Sequence, residues 1–182
     1  MKKTFLDVLE KIRKRVRGRS NTTIMKGALV SKDSIIGDYS YIGYNTFITK
    51  AKIGRYCSIA CNVSIGLGEH VIDDISTSSL FYNDSYTTLT SKECVIGNDV
   101  WIGVDSIIRR GVEIGNGAII GANSFVNMNV PAFSVVAGTP AKIIKYRFSQ
   151  NQIEQIEKSN WWEYEIDEAK NILSQLKNEI KI

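Results

Sequence analysis

One residue of this sequence stands out for the chemistry it could perform: His70, the only histidine among 182 residues. An imidazole with a pKa near ~6.5 can take a proton from a hydroxyl nucleophile close to neutral pH. It needs a partner on its other ring nitrogen, either a backbone carbonyl or a carboxylate such as the neighbouring Glu69, Asp73 or Asp74. A lone histidine is more often structural than catalytic, so its surroundings have to decide.

A second group of side chains could bind anions. Lys142, Lys145 and Arg147 lie at and just after the turn "AGTPAK". Phosphate oxygens accept charge-assisted hydrogen bonds from such groups, so the cluster is a candidate phosphate site. Taken alone, a cluster of this kind is usually a solvated face.

Composition and charge describe the body that carries these candidates. The chain is 43% hydrophobic and 23% charged, which is ordinary for a globular protein with one sizeable core. Residues 1–20 hold eight Lys/Arg and two acidic residues, a net charge of +6. Because the whole chain carries +4, residues 21–182 sum to −2. This distribution argues against a nucleic-acid-binding core.

The cysteines and the apolar segments indicate the compartment. Three cysteines are an odd number, and the first residues do not form the uninterrupted apolar run of a secretory signal. No stretch approaches the ~18 apolar residues of a membrane-spanning helix. We expect a cytoplasmic protein without disulfides, in which Cys57 is a buried, unreactive thiol.

A six-residue repeat predicts the elements that position the candidate residues. An aliphatic residue recurs every six positions in two arrays, frequently followed by glycine and, four positions on, by a small residue. Neither a helix nor a two-sided strand repeats at six, whereas a triangular coil with three short faces does. The aliphatic side chains should point into the prism, and glycine with the small residues should let the backbone turn the corners. The arrays are Ile24, Val30, Ile36, Ile42, Ile48, then after one five-residue step Ile53, Ile59 and Ile65; and Ile96, Ile102, Ile108, Ile114, Ile120 and Val126.

We therefore predict a mainly β protein, a parallel β-helix of hexapeptide repeats with a helix at each end. The β-helix should occupy residues 21–147, with an active-site loop at 71–94 where the period breaks. Residues 1–20 form a basic amphipathic stripe, which we expect to cap the first coil; contact with an anionic membrane is possible but less favoured. Residues 148–182 should form a helical tail that begins with a capping box, Ser149 with Gln152.

Three longer motifs resemble one family. "IGNDVWIG", "GVEIGNGAIIGANSFV" and "VVAGTPAKIIKYRFS", together with the two arrays, are similar to the hexapeptide-repeat acyltransferases, in particular to their xenobiotic and surface-polysaccharide acetyltransferase branch. The resemblance covers roughly residues 24–165. It implies a left-handed β-helix, a homotrimer, and acetyl-CoA bound in the clefts between subunits.

The resemblance also implies roles for individual residues. His70 falls on the "G-x-H" that supplies the general base in this branch, although Val71 follows it where many members have proline. The same loop implies acceptor contacts, for which we take Asp74, Ser76, Thr77 and Tyr82. For the coenzyme the matching positions are Trp101, Gly103, Gly121, Ala122, Lys142, Lys145 and Arg147. Asn127-Met128 replaces the Thr-Lys pair common in the family, which implies a different or weaker phosphate contact.

Several functions remain open. The leading hypothesis is acetyl transfer from acetyl-CoA to a hydroxyl of a sugar or surface-polysaccharide precursor, without a metal. The same base could serve an amino-sugar N-acetyltransferase, or an O-acetyltransferase acting on an antibiotic. A carbonic anhydrase on this fold needs three histidines around a metal, and the chain has one. A non-catalytic β-helix used as an assembly scaffold is the alternative that is not an enzyme.

Overall fold

The computed structural model describes residues 21–181, which form a stack of short strands followed by two helices. Most strands contain only two residues, the first exposed and the second buried. The strands are β1 (Thr23–Ile24), β2 (Leu29–Val30), β3 (Ile35–Ile36), β4 (Tyr41–Ile42), β5 (Phe47–Ile48), β6 (Ala51–Ile53), β7 (Ser58–Ile59), β8 (Ser64–Ile65), β9 (Cys94–Ile96), β10 (Trp101–Ile102), β11 (Ile107–Ile108), β12 (Glu113–Ile114), β13 (Ile119–Ile120), β14 (Phe125–Val126), β15 (Ser134–Gly138) and β16 (Ala141–Tyr146).

Three sheets form the sides of the prism. Their orders are β1-β4-β7-β10-β13-β15-β16, β14-β11-β8-β5-β2 and β12-β9-β6-β3. From β1 to β14 each strand therefore pairs with the strand three places along the chain, which is the connectivity of a coil with three sides; at the end of the stack β13 pairs with β15 and β15 with β16. All pairs are parallel except β15 with β16, which form an antiparallel hairpin at the end of the stack. The predicted parallel β-helix is confirmed.

The predicted aliphatic arrays form the core. Ile42, Ile59, Ile102 and Ile120 occupy equivalent inward positions of successive coils and have no exposed surface. Full burial of an aliphatic side chain of this size contributes about 1.5–3 kcal/mol to stability. Each coil buries its row only against its neighbours, so the stack rather than the single coil is the stable unit.

The corners are made differently from our expectation. In most coils the left-handed backbone conformation falls on the third residue after the aliphatic one, such as Tyr39 (φ 62°), Asn45 (φ 53°) or Asp99 (φ 54°), rather than on the glycine that follows the aliphatic residue directly; Gly66 (φ 59°) is the exception among these glycines. The glycine is required for a different reason: a Cβ on Gly37 would lie 2.6 Å from the backbone carbon of Gly54 in the next coil. The sequence analysis therefore placed the corners correctly but gave the wrong reason for the glycine.

Small hydroxyl residues tie neighbouring coils together. Ser40 Oγ donates to the Gly54 carbonyl and accepts from the Cys57 N–H. Thr46 Oγ1 makes the same pair of bonds with Ala60 O and Val63 N. Both side chains are buried, and these bonds satisfy backbone groups that the two-residue strands leave unpaired.

Two helices cover the C-terminal side of the coils: α2 (Gln150–Ser159) and α3 (Ile166–Glu179). The predicted capping box at Ser149 and Gln152 is present at the start of α2. Trp161 and Trp162 are buried between the helices and the coils, as packing residues. Arg55 donates to the Glu163 and Tyr164 carbonyls and so fastens this region to the body. The helix predicted for residues 1–20 lies outside the described residues.

Candidate active site

The loop that carries His70 replaces one corner of the prism. Between β8 and β9, residues 66–93 leave the coil where the five-stranded sheet meets the four-stranded sheet. The loop contains a 3-10 turn at Ser79–Phe81 and a short helix, α1 (Ser85–Leu89). Ser78 and Asp84 cap these two pieces by accepting from backbone N–H groups, so the loop has an ordered internal structure.

The two ends of the loop are joined at its base. The Glu69 N–H donates to the Leu89 carbonyl at 2.9 Å. The Glu69 carboxylate also accepts two bonds from Arg109, at 2.8 and 2.9 Å, in a bidentate ion pair. Glu69 is therefore occupied as a scaffold residue and is not the partner of the adjacent His70.

A second connection lies at the far end of the loop. The Tyr86 hydroxyl lies 2.9 Å from each carboxylate oxygen of Asp33, which belongs to an early coil. Hydrogen bonds from Ser31 and, less strongly, from Tyr86 hold the pKa of the Asp33 carboxyl below its ordinary value. The loop thus lies back along the coils instead of projecting freely.

His70 is held in one tautomer. Its Nδ1 lies 2.5 Å from the carbonyl oxygen of Thr77. Because a carbonyl can only accept, Nδ1 must carry the proton, and in the neutral ring Nε2 is then free to accept one. The Tyr82 hydroxyl donates to the same carbonyl at 3.1 Å and accepts from the Val71 N–H at 3.0 Å. The carbonyl, rather than a neighbouring carboxylate, is the orienting group that the sequence could not identify.

His70 faces a pocket of about 480 Å³ between the loop and two later corners of the prism. The loop side contributes Asp73 and Lys92, and the coil side contributes Arg109 and Arg110. Asn127, Met128 and Asn129 close the far wall. Asn127-Met128, which departs from the Thr-Lys pair, thus lies in the wall of the pocket that His70 lines, and its effect on the phosphate contact stays a prediction.

The loop residues that we assigned to the acceptor separate into two groups. Thr77 and Tyr82 hold His70, as just described. Asp74 Oδ1 accepts from the Ile75 N–H at 2.6 Å, and Ser76 Oγ accepts from the Ser78 N–H at 3.2 Å. None of the four lines the pocket as the described residues form it, so their contact with an acceptor stays a prediction.

The predicted coenzyme residues occupy a different side of the prism. Trp101 is 54% exposed on the outer face of the seven-stranded sheet. Gly103, Gly121 and Ala122 lie at the corner that leads from this sheet to the five-stranded sheet. A Cβ on Gly103 would lie 2.6 Å from the Ala122 N, so at this position the glycine serves coil stacking whether or not it also contacts a ligand.

Lys142 and Lys145 share one face of the terminal hairpin. Lys145 pairs with Val135 and Lys142 with Ala137, and the bulge in this hairpin keeps both lysines on the outer face. The same outer row continues through Ile119 to Trp101. With strands ~4.8 Å apart, the row from Trp101 to Lys145 spans roughly 14 Å.

Arg147 lines a pocket with Trp101 and Ile119 on this side of the prism, so its contact with the coenzyme stays a prediction, but its guanidinium also has partners within the chain. Its Nη1 donates to the Gly117 carbonyl at 2.5 Å and lies 3.5 Å from Asp99. The guanidinium also lies against the rings of Phe133 and Phe148, 5.7 and 5.1 Å from their centres. Burial raises the pKa of Asp99, and Arg147 opposes that shift. Arg147 therefore stabilises the junction with the C-terminal helices.

Sequence reasoning missed Arg109 and Arg110. A signal was available, because Arg109 follows the inward Ile108 at the position where many coils have glycine, and Arg110 comes next. Their side chains reach the loop base 40 or more residues earlier in the chain, and that distance hid their role.

Two further observations concern metal binding and the membrane. Within residues 21–181, no three His, Cys, Asp or Glu side chains come together in a way that could hold a metal ion. Among the helices of that same part of the chain, none has the length and apolar character needed to cross a bilayer.

Comparison with known proteins places the chain among transferases. Residues 93–127 match the family described as "Bacterial transferase hexapeptide (six repeats)". The chain is 37% identical over 158 residues to a probable macrolide acetyltransferase of Lysinibacillus sphaericus, covering 81% of this chain and 85% of that protein. It is 34% identical over 137 residues to a chloramphenicol acetyltransferase of Morganella morganii, covering 69% of this chain but only 65% of that protein.

Two more proteins extend the comparison. A putative lipopolysaccharide biosynthesis O-acetyltransferase of Escherichia coli K12 is 36% identical over 126 residues, with 66% of this chain and 61% of that protein covered. The crystal structure of a hexapeptide-repeat acetyltransferase of Vibrio cholerae, in complex with acetyl coenzyme A, superimposes with a TM-score of 0.59 at 26% identity, covering 79% of this chain and 80% of that one. The repeats, the fold and these relatives lead to one conclusion: the chain belongs to the hexapeptide-repeat acetyltransferase family.

Proposed function

We propose that the chain transfers an acetyl group from acetyl-CoA to a hydroxyl of a sugar or surface-polysaccharide precursor, with His70 as general base. The observation that carries this proposal is the bond between His70 Nδ1 and the Thr77 carbonyl, which leaves Nε2 as a proton acceptor at the pocket. Nε2 takes the proton of the hydroxyl as its oxygen attacks the thioester carbonyl. The C–S bond breaks, and the imidazolium returns the proton to the departing thiolate.

The pocket favours a polar acceptor. Acidic, basic, amide and hydroxyl side chains make up most of its lining, among them Asp73, Ser91 and Asn129. Such groups can form many hydrogen bonds with a polyhydroxylated ligand. The lipopolysaccharide O-acetyltransferase among the relatives supports the same class of acceptor. An antibiotic hydroxyl is the second candidate, because two relatives are named for macrolides and chloramphenicol. An amino sugar is also possible chemically, since the same base could deprotonate an amine.

We further propose a homotrimer with sites between subunits. His70 and the predicted coenzyme residues Trp101, Lys142 and Lys145 lie on different sides of one prism, so a single chain holds two halves of a site. An apolar row on the five-stranded sheet could bury itself in such an assembly: Leu29 and Ile107 are 62% and 48% exposed there. Light scattering should then give about 61 kDa, three times 20.4 kDa. An active monomer would contradict the shared site.

The function is tested by thiol release from acetyl-CoA with a panel of acceptors. The panel should include maltose, a nucleotide-linked N-acetylhexosamine, a nucleotide-linked amino sugar, chloramphenicol and a macrolide. Faster release with the polysaccharide-type sugars supports the proposal, and faster release with either antibiotic favours the second candidate. If no acceptor raises release and calorimetry detects no acetyl-CoA binding, the chain is a scaffold and not an enzyme.

A further inference from the structure

One arginine holds the base of the loop through three backbone carbonyls. Arg110 is only 7% exposed. Its Nε donates to the Leu67 carbonyl at 3.3 Å, its Nη1 to the Lys92 carbonyl at 2.6 Å and its Nη2 to the Thr49 carbonyl at 2.8 Å. Leu67 begins the loop, Lys92 ends it, and Thr49 belongs to the coil beneath. A single side chain therefore joins both ends of the loop to the scaffold.

The chemistry of this contact suits arginine alone. The planar guanidinium presents its donors in a fixed fork, whereas a lysine ammonium is a single point on a flexible stem and could not reach three acceptors in this geometry. No carboxylate pairs with Arg110 among the described residues, so neutral carbonyls solvate its charge. Hydrogen bonds to a charged group are stronger than those between neutral groups, which offsets the cost of burying the cation.

The backbone beside the guanidinium leaves room for it. Gly66 has φ +59°, and a Cβ placed on it would lie 2.9 Å from the Thr49 carbonyl oxygen and 3.3 Å from Arg110 Nη2. A side chain at this position would therefore crowd the contact as well as strain the backbone. Gly66, the first residue after β8, therefore leaves the space that the side chain of Arg110, 44 positions later, occupies.

The contact bears directly on His70. The bonds that hold its ring, through Thr77 and Tyr82, are all within the loop, so they orient the imidazole relative to the loop and not relative to the coils. Leu67 is three residues before His70. Arg110 at Leu67 therefore acts together with the Arg109–Glu69 ion pair to place the imidazole in the pocket.

We propose that Arg110 is a positioning residue for acetyl transfer: it sets the location of His70 by fixing both ends of the loop. The inference rests on the proposed role of His70 as base. A displacement of about 1 Å in a catalytic group can cost ~10²-fold in rate, and loss of the three bonds permits a displacement of that size.

The test compares Arg110→Ala and Arg110→Lys with Arg55→Ala. Arg55 is the matched control, because its guanidinium also donates to backbone carbonyls, but at the C-terminal helices far along the chain from the loop. The acceptor is the compound of the panel above that gives the fastest thiol release. We expect kcat per folded molecule to fall ~10²-fold in Arg110→Ala, less in Arg110→Lys and hardly at all in Arg55→Ala. Millimolar guanidinium, well below denaturing concentrations, should restore part of the loss in Arg110→Ala only.

A second measurement needs no acceptor. Because the chain has one histidine, ¹⁵N-labelled histidine gives a single pair of ring signals that report the tautomer of His70. All folded variants should keep the Nδ1–H form at pH 8, because the Thr77 carbonyl belongs to the same loop as the ring. The chemical shifts of the ring signals should move in Arg110→Ala, since the ring changes place relative to the coils, and should stay parental in Arg55→Ala. If Arg110→Ala fails to fold, Arg110→Lys carries both measurements.

The double variant separates this proposal from the proposed function. In a His70→Ala background, Arg110→Ala should cost no further activity, because its effect passes through the imidazole. An equal loss with and without His70, or a parental rate and parental ring shifts in the Arg110 variants, overturns the positioning role. Full activity of His70→Ala alone instead overturns the general-base assignment, while the ring shifts still decide whether Arg110 positions the imidazole.

Discussion

Replacement of His70 by alanine is the most informative single perturbation of this protein, because its structural and catalytic consequences differ greatly in size. The imidazole is exposed and makes one hydrogen bond, to the Thr77 carbonyl. Loss of such a bond costs about 0.5–1.5 kcal/mol of stability. For a chain of this length that amounts to roughly 1–6 °C in Tm. The coils should remain folded, since the deleted ring is exposed and belongs to the loop.

The catalytic loss should be larger. A positioned general base contributes ~10²–10⁴-fold to turnover, which corresponds to about 2.7–5.4 kcal/mol of transition-state stabilisation. This exceeds any loss of folded protein that the broken hydrogen bond can cause. The KM for acetyl-CoA should change little, because the predicted coenzyme residues lie on another side of the prism.

The assay is thiol release from acetyl-CoA, normalised to the folded fraction measured by circular dichroism. Asn83→Ala serves as the control, because Asn83 is an exposed residue of the same loop that does not line the pocket. It should keep parental kcat. If folded His70→Ala retains more than about a tenth of the parental kcat, the imidazole is not the base, and the expected fall of 10² or more is refuted.

Three other predictions follow from the geometry. Replacing Lys142 and Lys145 together by alanine should raise the KM for acetyl-CoA several-fold with a much smaller change in kcat, because phosphate groups lie far from the reacting thioester; unchanged acetyl-CoA binding by calorimetry would contradict the assignment. Gly103→Ala should lower the free energy of unfolding in urea by about 1–3 kcal/mol, because the new Cβ would lie 2.6 Å from the Ala122 N. The control Val104→Ala, at the exposed next residue, should change it by less than ~0.5 kcal/mol. Burial raises the pKa of Cys57 to about 12, so at pH 8 only ~10⁻⁴ of this thiol is ionised. Iodoacetamide should therefore label the half-buried Cys61 long before Cys57, and equal labelling rates would show that the core is open.

Much of the fold followed from periodicity. An aliphatic residue at every sixth position can be buried on one side only by a three-sided coil, and Ile42, Ile102 and Ile120 are fully buried as predicted. The capping box at Ser149 was also predictable, because it depends on a few residues close together in the chain. The break of the period near His70 located the loop for the same reason.

The site could be predicted only in part. The sequence pointed to His70 but could not identify its partner, because a backbone carbonyl leaves no mark on residue type. It grouped Arg147 with Lys142 and Lys145 but gave no sign that the Arg147 guanidinium also contacts Asp99 and the Gly117 carbonyl. Proximity along the chain was a poor guide here, since the hairpin and the coils meet through residues about 30–50 positions apart.

The sequence by itself determined the β-helix, the place of its interruption and the family of the protein, because local repeats dictate which side chains face inward in every coil. Only the tertiary structure decided which contacts hold the loop. Arg110 reaches back to Thr49 and Leu67, and Tyr86 to Asp33, across 43 to 61 residues of sequence. Stacking brings these groups within hydrogen-bond distance because each coil adds only ~4.8 Å to the height of the prism, so residues far apart in the chain become neighbours in space.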